Sequence, residues 1–207
     1  IIAAITRLAA ATEGPIIEIG PGDGALTTPL ARLGRPVTAI EIDARLARRL
    51  SERLPSHVDV VSDDFLIYRL PTYPYVLVGN LPFHQTTAML RRMLHAPAWT
   101  NAILLVQWEV ARRRAGVGGA TMMTAQWAPW FEFTLHARVP SRAFTPRPGV
   151  DGGILSIYRR KHPLLPSEQR RQFHALVHRV YTGPGCGLAQ ILARNTALGS
   201  ARAAQAW

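Results

Sequence analysis

The stretch GNLPF at residues 79–83 carries the residue types in this sequence that are best suited to chemistry. The exocyclic amine of adenine is a poor nucleophile, because its lone pair is delocalised into the ring. The side-chain oxygen of Asn80 and the carbonyl oxygen of Leu81 could accept both N–H groups of such an amine and so point its lone pair at an incoming methyl group. Pro82 restricts Leu81 to an extended conformation, and Phe83 offers an aromatic face for a base turned out of its stack. The alternative is a structural turn followed by a core phenylalanine.

A glycine-rich segment, EIGPGDG at residues 18–24, follows an apolar strand and precedes a helical stretch. Glycines at such a turn let the backbone bend sharply and approach a nucleotide-like ligand. Glu41 ends the next predicted strand, 17 residues beyond Gly24, within the segment IEID. A carboxylate at this position can accept hydrogen bonds from the hydroxyls of a ribose. A tight structural turn and a solvated strand end are the alternatives, and the spacing of the two segments favours binding.

An acidic segment, SDDF at residues 62–65, follows the third predicted strand. It could place a carboxylate beside the adenine amine of the same nucleotide-like ligand. The sequence leaves open whether Asp63 or Asp64 makes that contact. An ordinary acidic loop or a helix cap is the alternative for either residue.

These segments need a sheet that brings the ends of several strands together. Short β-rich runs alternate with helical stretches, which predicts βαβ units and a parallel sheet. The predicted strands are 16–19, 37–42, 58–61, 75–78 and 103–106, and the predicted helices are 25–33, 45–54 and 86–95. Two later runs, 130–135 and 152–158, are joined by a proline-rich loop and predict an antiparallel hairpin at the sheet edge. The predicted α/β fold resembles the Rossmann-like sheet of class I methyltransferases, with a small C-terminal helical piece.

The composition changes after Lys161, where Pro163 and Pro166 introduce a helix start at residues 167–168. We therefore predict two units, a Rossmann-like domain at residues 1–160 and a helical C-terminal subdomain at residues 161–207. The segment TGPG at residues 182–185 should break the first helix of that subdomain, and a second helical piece should begin over residues 188–192.

The charge balance favours a polyanionic partner. The chain has 24 basic and 13 acidic residues, a formal net charge of +11. Nucleic acid is favoured over a membrane surface, because no basic amphipathic helix with a Trp, Phe or Leu face stands out. Lys161 is the only lysine, and arginine makes planar, bidentate contacts with phosphate. Solubility or a GC-rich genome is the alternative explanation for the arginines.

Several other classes of protein are disfavoured. No run approaches the ~20 uninterrupted apolar residues that a bilayer span needs, and Arg7 follows the opening apolar residues too soon for a signal peptide. We therefore expect a cytoplasmic protein. Cys186 is the only cysteine and the seven histidines form no cluster with the spacing of ligands, so we expect no metal site.

Taken in order, the segments EIGPGDG, IEID, SDDF and GNLPF, followed by FTPRPGVD at residues 144–151, resemble the ribosomal RNA adenine N6-dimethyltransferases. That family includes the housekeeping enzymes of 16S rRNA and the Erm enzymes, which methylate 23S rRNA and confer macrolide resistance. The resemblance covers residues 1–160 and continues more weakly beyond them. The segments VQWEVA at 106–111, MMTAQWAPWFEF at 122–133 and the tail at 182–192 resemble the actinobacterial Erm branch.

This resemblance implies S-adenosylmethionine as cofactor and a role for each site residue. The residues implied in cofactor binding are Glu18, Gly20, Gly22, Glu41, Ile42, Asp63, Asp64, Phe65 and Asn80, with Asp64 aligned to the aspartate that contacts adenine. The residues implied in catalysis are Asn80, Leu81, Pro82, Phe83 and Phe144, the last approaching the target base from its other side. Family members carry a glutamine-containing segment upstream that contacts the methionine end of the cofactor, so we expect this chain to be trimmed at its N-terminus.

The implied function is direct, in-line methyl transfer to adenine N6 in 23S rRNA by a monomer, without a metal. Arg112, Arg113, Arg114 and the arginines around Arg170 would bind RNA phosphates. The alternatives are a housekeeping 16S rRNA enzyme, a non-catalytic RNA-binding factor on the same fold and a DNA adenine methyltransferase. The intact NLPF segment disfavours the non-catalytic factor, because a site that has lost its activity has no physical need for the pair of acceptors.

Overall fold

Seven strands form the frame of the protein, and the computed structural model describes residues 1–183. The strands are β1 (Ile16–Ile19), β2 (Val37–Glu41), β3 (Val58–Ser62), β4 (Tyr75–Asn80), β5 (Trp99–Gln107), β6 (Phe131–Val139) and β7 (Gly152–Arg159). Their order in the sheet is β3-β2-β1-β4-β5-β7-β6. The first five are parallel, whereas β7 runs antiparallel to both β5 and β6. The predicted fold class, a Rossmann-like parallel sheet with an antiparallel edge hairpin, is confirmed.

The register of the strands brings the predicted site segments to one edge of the sheet. Ile19, the last residue of β1, pairs with Ile40 on β2 and with Gly79 on β4. The glycine-rich loop, Glu41 and Asn80 therefore follow the carboxyl ends of three neighbouring strands. In open α/β sheets, ligands bind in the crevice outside these ends.

The sheet separates two hydrophobic cores, because consecutive strand residues point to opposite faces. Tyr75 belongs to the core that also holds Trp99 and Phe131, whereas its neighbour Val76 belongs to the core that holds Ile5. Gly79 lets β1 and β4 lie close together, since a Cβ there would lie 2.8 Å from the carbonyl oxygen of Ile19. Both cores thus support the strand ends that carry the site.

The helices flank the sheet on both faces. Those in the described residues are α1 (Ile2–Ala10), α2 (Thr27–Ala31), α3 (Ala44–Ser51), α4 (Thr86–His95), α5 (Trp108–Arg114), α6 (Met122–Trp127) and α7 (Arg170–Thr182). The prediction for α4 is confirmed in both bounds, while α2 is shorter than predicted because turns continue through residue 26. The helices α1, α5 and α6 were not predicted. Within residues 1–183, no helix combines the length and apolar character needed to cross a bilayer.

The helix α7 packs against α6 and the edge hairpin through aromatic rings. Trp127 and Trp130 are 3% and 2% exposed, so both are core residues. The His174 ring lies edge-on to both, at 4.8 and 5.8 Å between centroids, and the Arg170 guanidinium lies over both at 5.3 and 5.1 Å. The predicted helix start at residues 167–168 is a 3-10 turn, Ser167–Gln169, that leads into α7. The helical piece predicted over 188–192 lies outside the described residues, and the division at residue 161 stays a prediction.

Candidate active site

Two pockets open at the carboxyl edge of the sheet, and both are lined by Gly20 and Asn80. The first, here called the acidic pocket, has a volume of about 180 Å³, and the second, the glycine pocket, about 390 Å³. The predicted site residues that line the acidic pocket are Gly20, Glu41, Ile42, Asp63, Asp64, Phe65, Asn80 and Pro82. Those that line the glycine pocket are Glu18, Gly20, Gly22, Asn80 and Phe144. Leu81 and Phe83 line neither pocket.

The glycines of the loop after β1 have two different tasks. Gly20 and Gly22 have φ values of +65° and +55°, and a Cβ at either position would meet nothing within 4 Å. Gly24 has a φ of +85°, and a Cβ there would run into the Leu50 side chain of α3. The first two glycines therefore leave open space beside a left-handed backbone, as a ligand requires, whereas Gly24 allows close packing.

The Glu41 carboxylate is fixed by the backbone around it. The side chain is buried, and its Oε2 accepts a hydrogen bond from the Gly22 N–H at 2.9 Å. Its Oε1 accepts one from the Asp43 N–H at 3.0 Å. Each carboxylate oxygen can accept a further bond, so Glu41 holds the glycine loop and still has capacity to accept hydrogen bonds from a ligand.

The acidic pocket combines two carboxylates with an apolar wall. Ile42 is 67% exposed there, although it is a large aliphatic residue. Asp63 Oδ1 accepts the Asp64 N–H at 2.7 Å, and Asp64 Oδ1 accepts the Leu66 N–H at 2.8 Å. Asp64 thus caps the short turn that follows it and lines the pocket as well. An apolar wall beside acceptor oxygens suits a purine ring with an amine.

Glu18 is buried at the end of β1, with 1% of its surface exposed. Its Oε2 has no hydrogen-bond partner among the described residues. Burial, together with the nearby Glu41 charge, raises the pKa of Glu18 to about 7. A buried carboxylate without a partner is costly, and a cationic group of a ligand in the glycine pocket would provide one.

The Glu18 pKa predicts a dependence of stability on pH. Below pH 4.5 Glu18 is protonated in both states; between pH 4.5 and 7 only the folded state keeps the proton, so stability falls as the pH rises. The full effect is about 3 kcal/mol at 1.36 kcal/mol per pKa unit. Urea unfolding of ligand-free protein from pH 5 to 8 should show Glu18→Gln gaining stability relative to wild type as the pH rises. A constant difference between the two proteins would contradict this prediction.

Asn80 lies where the two pockets meet, as the exposed last residue of β4. The next residue, Leu81, is buried, and its N–H donates to the Leu105 carbonyl at 2.9 Å. The Pro82 carbonyl accepts bonds from the Gln85 N–H and the Thr86 hydroxyl at 3.0 and 3.1 Å. The backbone on both sides of the proposed amine acceptors is therefore held in place.

The two aromatic residues of the predicted site have different surroundings. Phe83 is half-buried in a turn and belongs to neither hydrophobic core, which argues against its being a core phenylalanine. Phe144 is half-buried, and a Cβ at Gly152 would lie 2.9 Å from its Cζ. Phe144 therefore packs on the bare backbone of β7 and borders the glycine pocket.

Some residues of the pockets were missed by the sequence analysis. Ile2 and Leu105 line the glycine pocket, and Gln85 and Met89 line the acidic pocket. Gln85 and Met89 are four residues apart at the start of α4, so the helical spacing after GNLPF could have revealed them. Ile2 and Leu105 line the glycine pocket because elements distant in sequence pack together, which no local pattern indicates. Within residues 1–183, no three His, Cys, Asp or Glu side chains are grouped to hold a metal ion.

The arginines proposed to bind RNA differ in their exposure. Arg114 is 8% exposed and donates to the Thr121 hydroxyl, which corrects its expected contact with phosphate. Arg170 covers two tryptophans and is also a packing residue. Arg112 pairs with Glu109 at 2.9 Å, and the Arg113 side chain is 64% exposed. Of these four, Arg113 is best placed for an external partner.

The sheet order, the glycine loop and the acidic residue that ends β2 define a protein with the Rossmann-like methyltransferase fold. The crystal structure of the 23S rRNA methyltransferase ErmE matches it with a TM-score of 0.87 at 36% identity, over 95% of this chain and 82% of that chain. The model of the ribosomal RNA adenine dimethylase family matches residues 2–205, and the chain belongs to that family.

Two relatives are similar over most of the chain. An rRNA adenine N-6-methyltransferase of Corynebacterium diphtheriae is 61% identical over 196 residues, 94% of this chain and 78% of that protein. The mycinamicin-resistance protein MyrB of Micromonospora griseorubida is 52% identical over 181 residues, 87% of this chain. The chain spans only 58% of the length of MyrB.

Proposed function

We propose that this chain catalyses S-adenosylmethionine-dependent methylation of adenine N6 in 23S rRNA and so confers macrolide resistance. The observation that carries the proposal is the meeting of two pockets at Asn80. The acidic pocket suits a nucleoside, and the glycine pocket beside it has room for a second base. One relative is named as an rRNA adenine N-6-methyltransferase, which supports this reaction, and the other as a mycinamicin-resistance protein, which supports a link to resistance. The ErmE structure is that of a 23S rRNA methyltransferase, which supports the 23S target.

The residues of the two pockets fit S-adenosylmethionine. Glu41 would accept the ribose hydroxyls, and Ile42 and Phe65 would cover the adenine, with Asp63 or Asp64 at its amine. The open space beside the glycine loop would admit the rest of the molecule, and the orphaned oxygen of buried Glu18 suits its cationic amine. When bound, this cofactor supplies a methyl group on a positively charged sulfur.

The contribution of the protein to catalysis is the position of the target amine. The Asn80 side-chain oxygen and the Leu81 carbonyl would accept its two N–H groups, which directs the nitrogen lone pair along one line. The Leu81 bond to Leu105 keeps this pair of acceptors in place. Phe83 and Phe144 would hold the base from its two sides. Holding two reactants in attack geometry can lower a barrier by several kcal/mol.

The RNA is proposed to bind along the basic surface of the protein. The net charge of +11 attracts a polyanion, and exposed Arg171, His178 and Arg179 extend this surface along α7. We assign residues 161–207 to an RNA-binding subdomain on this ground. A ribosomal RNA target places the activity in the cytoplasm, and one copy of the chain brings together both pockets, so a monomer suffices.

The experiment that tests the proposal uses the full-length protein, labelled S-adenosylmethionine and separated 16S and 23S rRNA. We expect label on an adenine of 23S rRNA, located by primer extension or mass spectrometry. Expression in a macrolide-sensitive bacterium should raise the inhibitory concentration of a macrolide, and an inactive variant should not. Label on 16S rRNA with unchanged drug sensitivity would favour the housekeeping alternative. RNA binding without any label would favour a non-catalytic factor.

A further inference from the structure

A second aromatic side chain lies across β7 from Phe144. Gly152 and Gly153 are consecutive in β7, so a Cβ on each would point to opposite faces of the sheet. The one at Gly152 would lie 2.9 Å from Phe144 Cζ, and the one at Gly153 would lie 3.3 Å from Trp108 Cε3. The rings of Phe144 and Trp108 therefore flank the same short piece of strand.

Beside Trp108 opens a cleft of about 380 Å³ that is separate from the two pockets of the active site. Trp108 is half-buried, and the Arg138 guanidinium lies over its ring, 5.4 Å from the centroid. The Arg138 side chain is nevertheless 61% exposed. Nucleobases stack on aromatic rings and on arginine guanidinium groups, so this pair forms a stacking platform that is open on one side.

Asp151 connects this platform to the active site. Its Oδ2 accepts a hydrogen bond from Arg138 Nε at 2.8 Å, and its carbonyl oxygen accepts one from the Trp108 N–H at 2.8 Å. Its Oδ1 accepts the Ser141 N–H at 2.8 Å, at the start of a 3-10 turn that leads directly into Phe144. One residue, through its carboxylate and its carbonyl oxygen, thus sets the position of the platform relative to the aromatic residue at the target pocket.

The charge around the cleft suits a nucleic acid strand. The charged side chains that lower the pKa values of Glu109 and Asp151 are all arginines, namely Arg112, Arg113, Arg138 and Arg142. Four guanidinium groups against two carboxylates leave this surface positive, and arginine contacts with phosphate contribute to RNA affinity.

We propose that this cleft is a subsite for a nucleotide adjacent to the target adenine, with its base stacked on the pair formed by Arg138 and Trp108. The proposal rests on the proposed function, since it assumes that an adenine of RNA enters the glycine pocket. The start of β7 would then separate two bases, the target against Phe144 on one face and its neighbour against Trp108 on the other. Asp151 is a positioning residue for both.

The test combines changes in the protein with changes in the RNA. The full-length protein is assayed with the shortest 23S rRNA fragment that supports methylation, either intact or abasic at the nucleotide on one side of the target adenine. The protein variants are Arg138→Ala, Arg138→Lys and the control Arg48→Ala, whose side chain is 84% exposed on α3. KM for RNA, kcat and the thermal unfolding midpoint are measured for each.

For wild type, we expect one of the two abasic fragments to raise KM about 10-fold, as the loss of one stacked base predicts. Arg138→Ala should raise KM for the intact fragment to a similar extent, with kcat and the unfolding midpoint unchanged. Arg138→Lys should restore only part of the lost RNA affinity, so its KM should lie between those of wild type and Arg138→Ala. Combining Arg138→Ala with that abasic fragment should add little, because both remove the same contact. Arg48→Ala should behave as wild type.

Independent, fully additive effects of the abasic position and of Arg138→Ala would overturn the subsite. So would an effect of Arg138→Ala that follows a lowered unfolding midpoint, because Arg138 would then only support the fold through Asp151. Absence of methylation by wild type on every rRNA fragment would instead overturn the proposed function. Methylation without the expected coupling would overturn the subsite alone.

Discussion

Replacing Asn80 by alanine is expected to reduce methyl transfer at least ~100-fold, the loss seen when one well-placed polar group is removed from a reacting centre. The side chain lies at the junction of the two pockets, where it is proposed to accept one N–H of the target amine. Single-turnover methylation of rRNA measures the rate, and calorimetric titration with S-adenosylmethionine measures the affinity, which should change far less.

The matched control for this variant is Asn101→Ala. Asn101 lies on β5 and pairs with Val76 of β4, far along the strands from the carboxyl edge. Its replacement should leave turnover unchanged. Near-normal turnover of Asn80→Ala would remove Asn80 from the mechanism, and an equal loss of cofactor affinity and turnover would make it a cofactor-binding residue instead.

Glu41→Ala is expected to weaken the binding of S-adenosylmethionine by about 100-fold or more, given ~1.5–3 kcal/mol for each hydrogen bond to a charged group. Two effects combine in this variant. The proposed acceptor of the ribose hydroxyls is lost, and the Gly22 and Asp43 N–H groups lose their partner, so that the glycine loop is no longer held. Calorimetric titration of wild type and variant gives the comparison.

Glu52→Ala is the control, because the Glu52 side chain is 61% exposed just after the C-terminal end of α3, where it pairs with Arg48. It should bind the cofactor as wild type does. Circular dichroism should show that Glu41→Ala keeps its fold, since the residue lies at a strand end. Affinity within a few-fold of wild type in Glu41→Ala would show that neither the carboxylate nor its hold on the glycine loop contributes to cofactor binding.

The sequence was most informative where residues suited to chemistry directly follow the ends of predicted strands. The spacing between the glycine-rich segment and Glu41 predicted that both act on one ligand. In the structure the two are joined by a hydrogen bond from the Gly22 N–H to Glu41, and their action on a ligand stays a prediction. The strand β1 and the helix α4 have the predicted bounds: β1 lies directly between Pro15 and Gly20, and α4 ends two residues before Pro97. The motifs follow strand ends, so a parallel sheet was enough to place them together.

Long-range packing set the limit of what could be predicted. The helix α5 begins at the residue after β5, and no glycine or proline marks the boundary between them. Arginine in a sequence indicates a solvated charge, yet Arg114 is buried and Arg170 covers tryptophans. Trp108 and Arg138 meet only because α5 and β6 both pack on β7. No local sequence pattern indicates a contact between residues so far apart in the chain.

The paired glycines of β7 also restrict how a gene for this chain can change. Every non-synonymous single-nucleotide substitution in a glycine codon introduces a residue with a Cβ or ends translation. At Gly152 that atom would displace Phe144, and at Gly153 it would displace Trp108 or the Ala111 side chain. Two adjacent residues without reactive side chains are therefore expected to tolerate point mutation poorly, because any replacement must displace a neighbouring side chain.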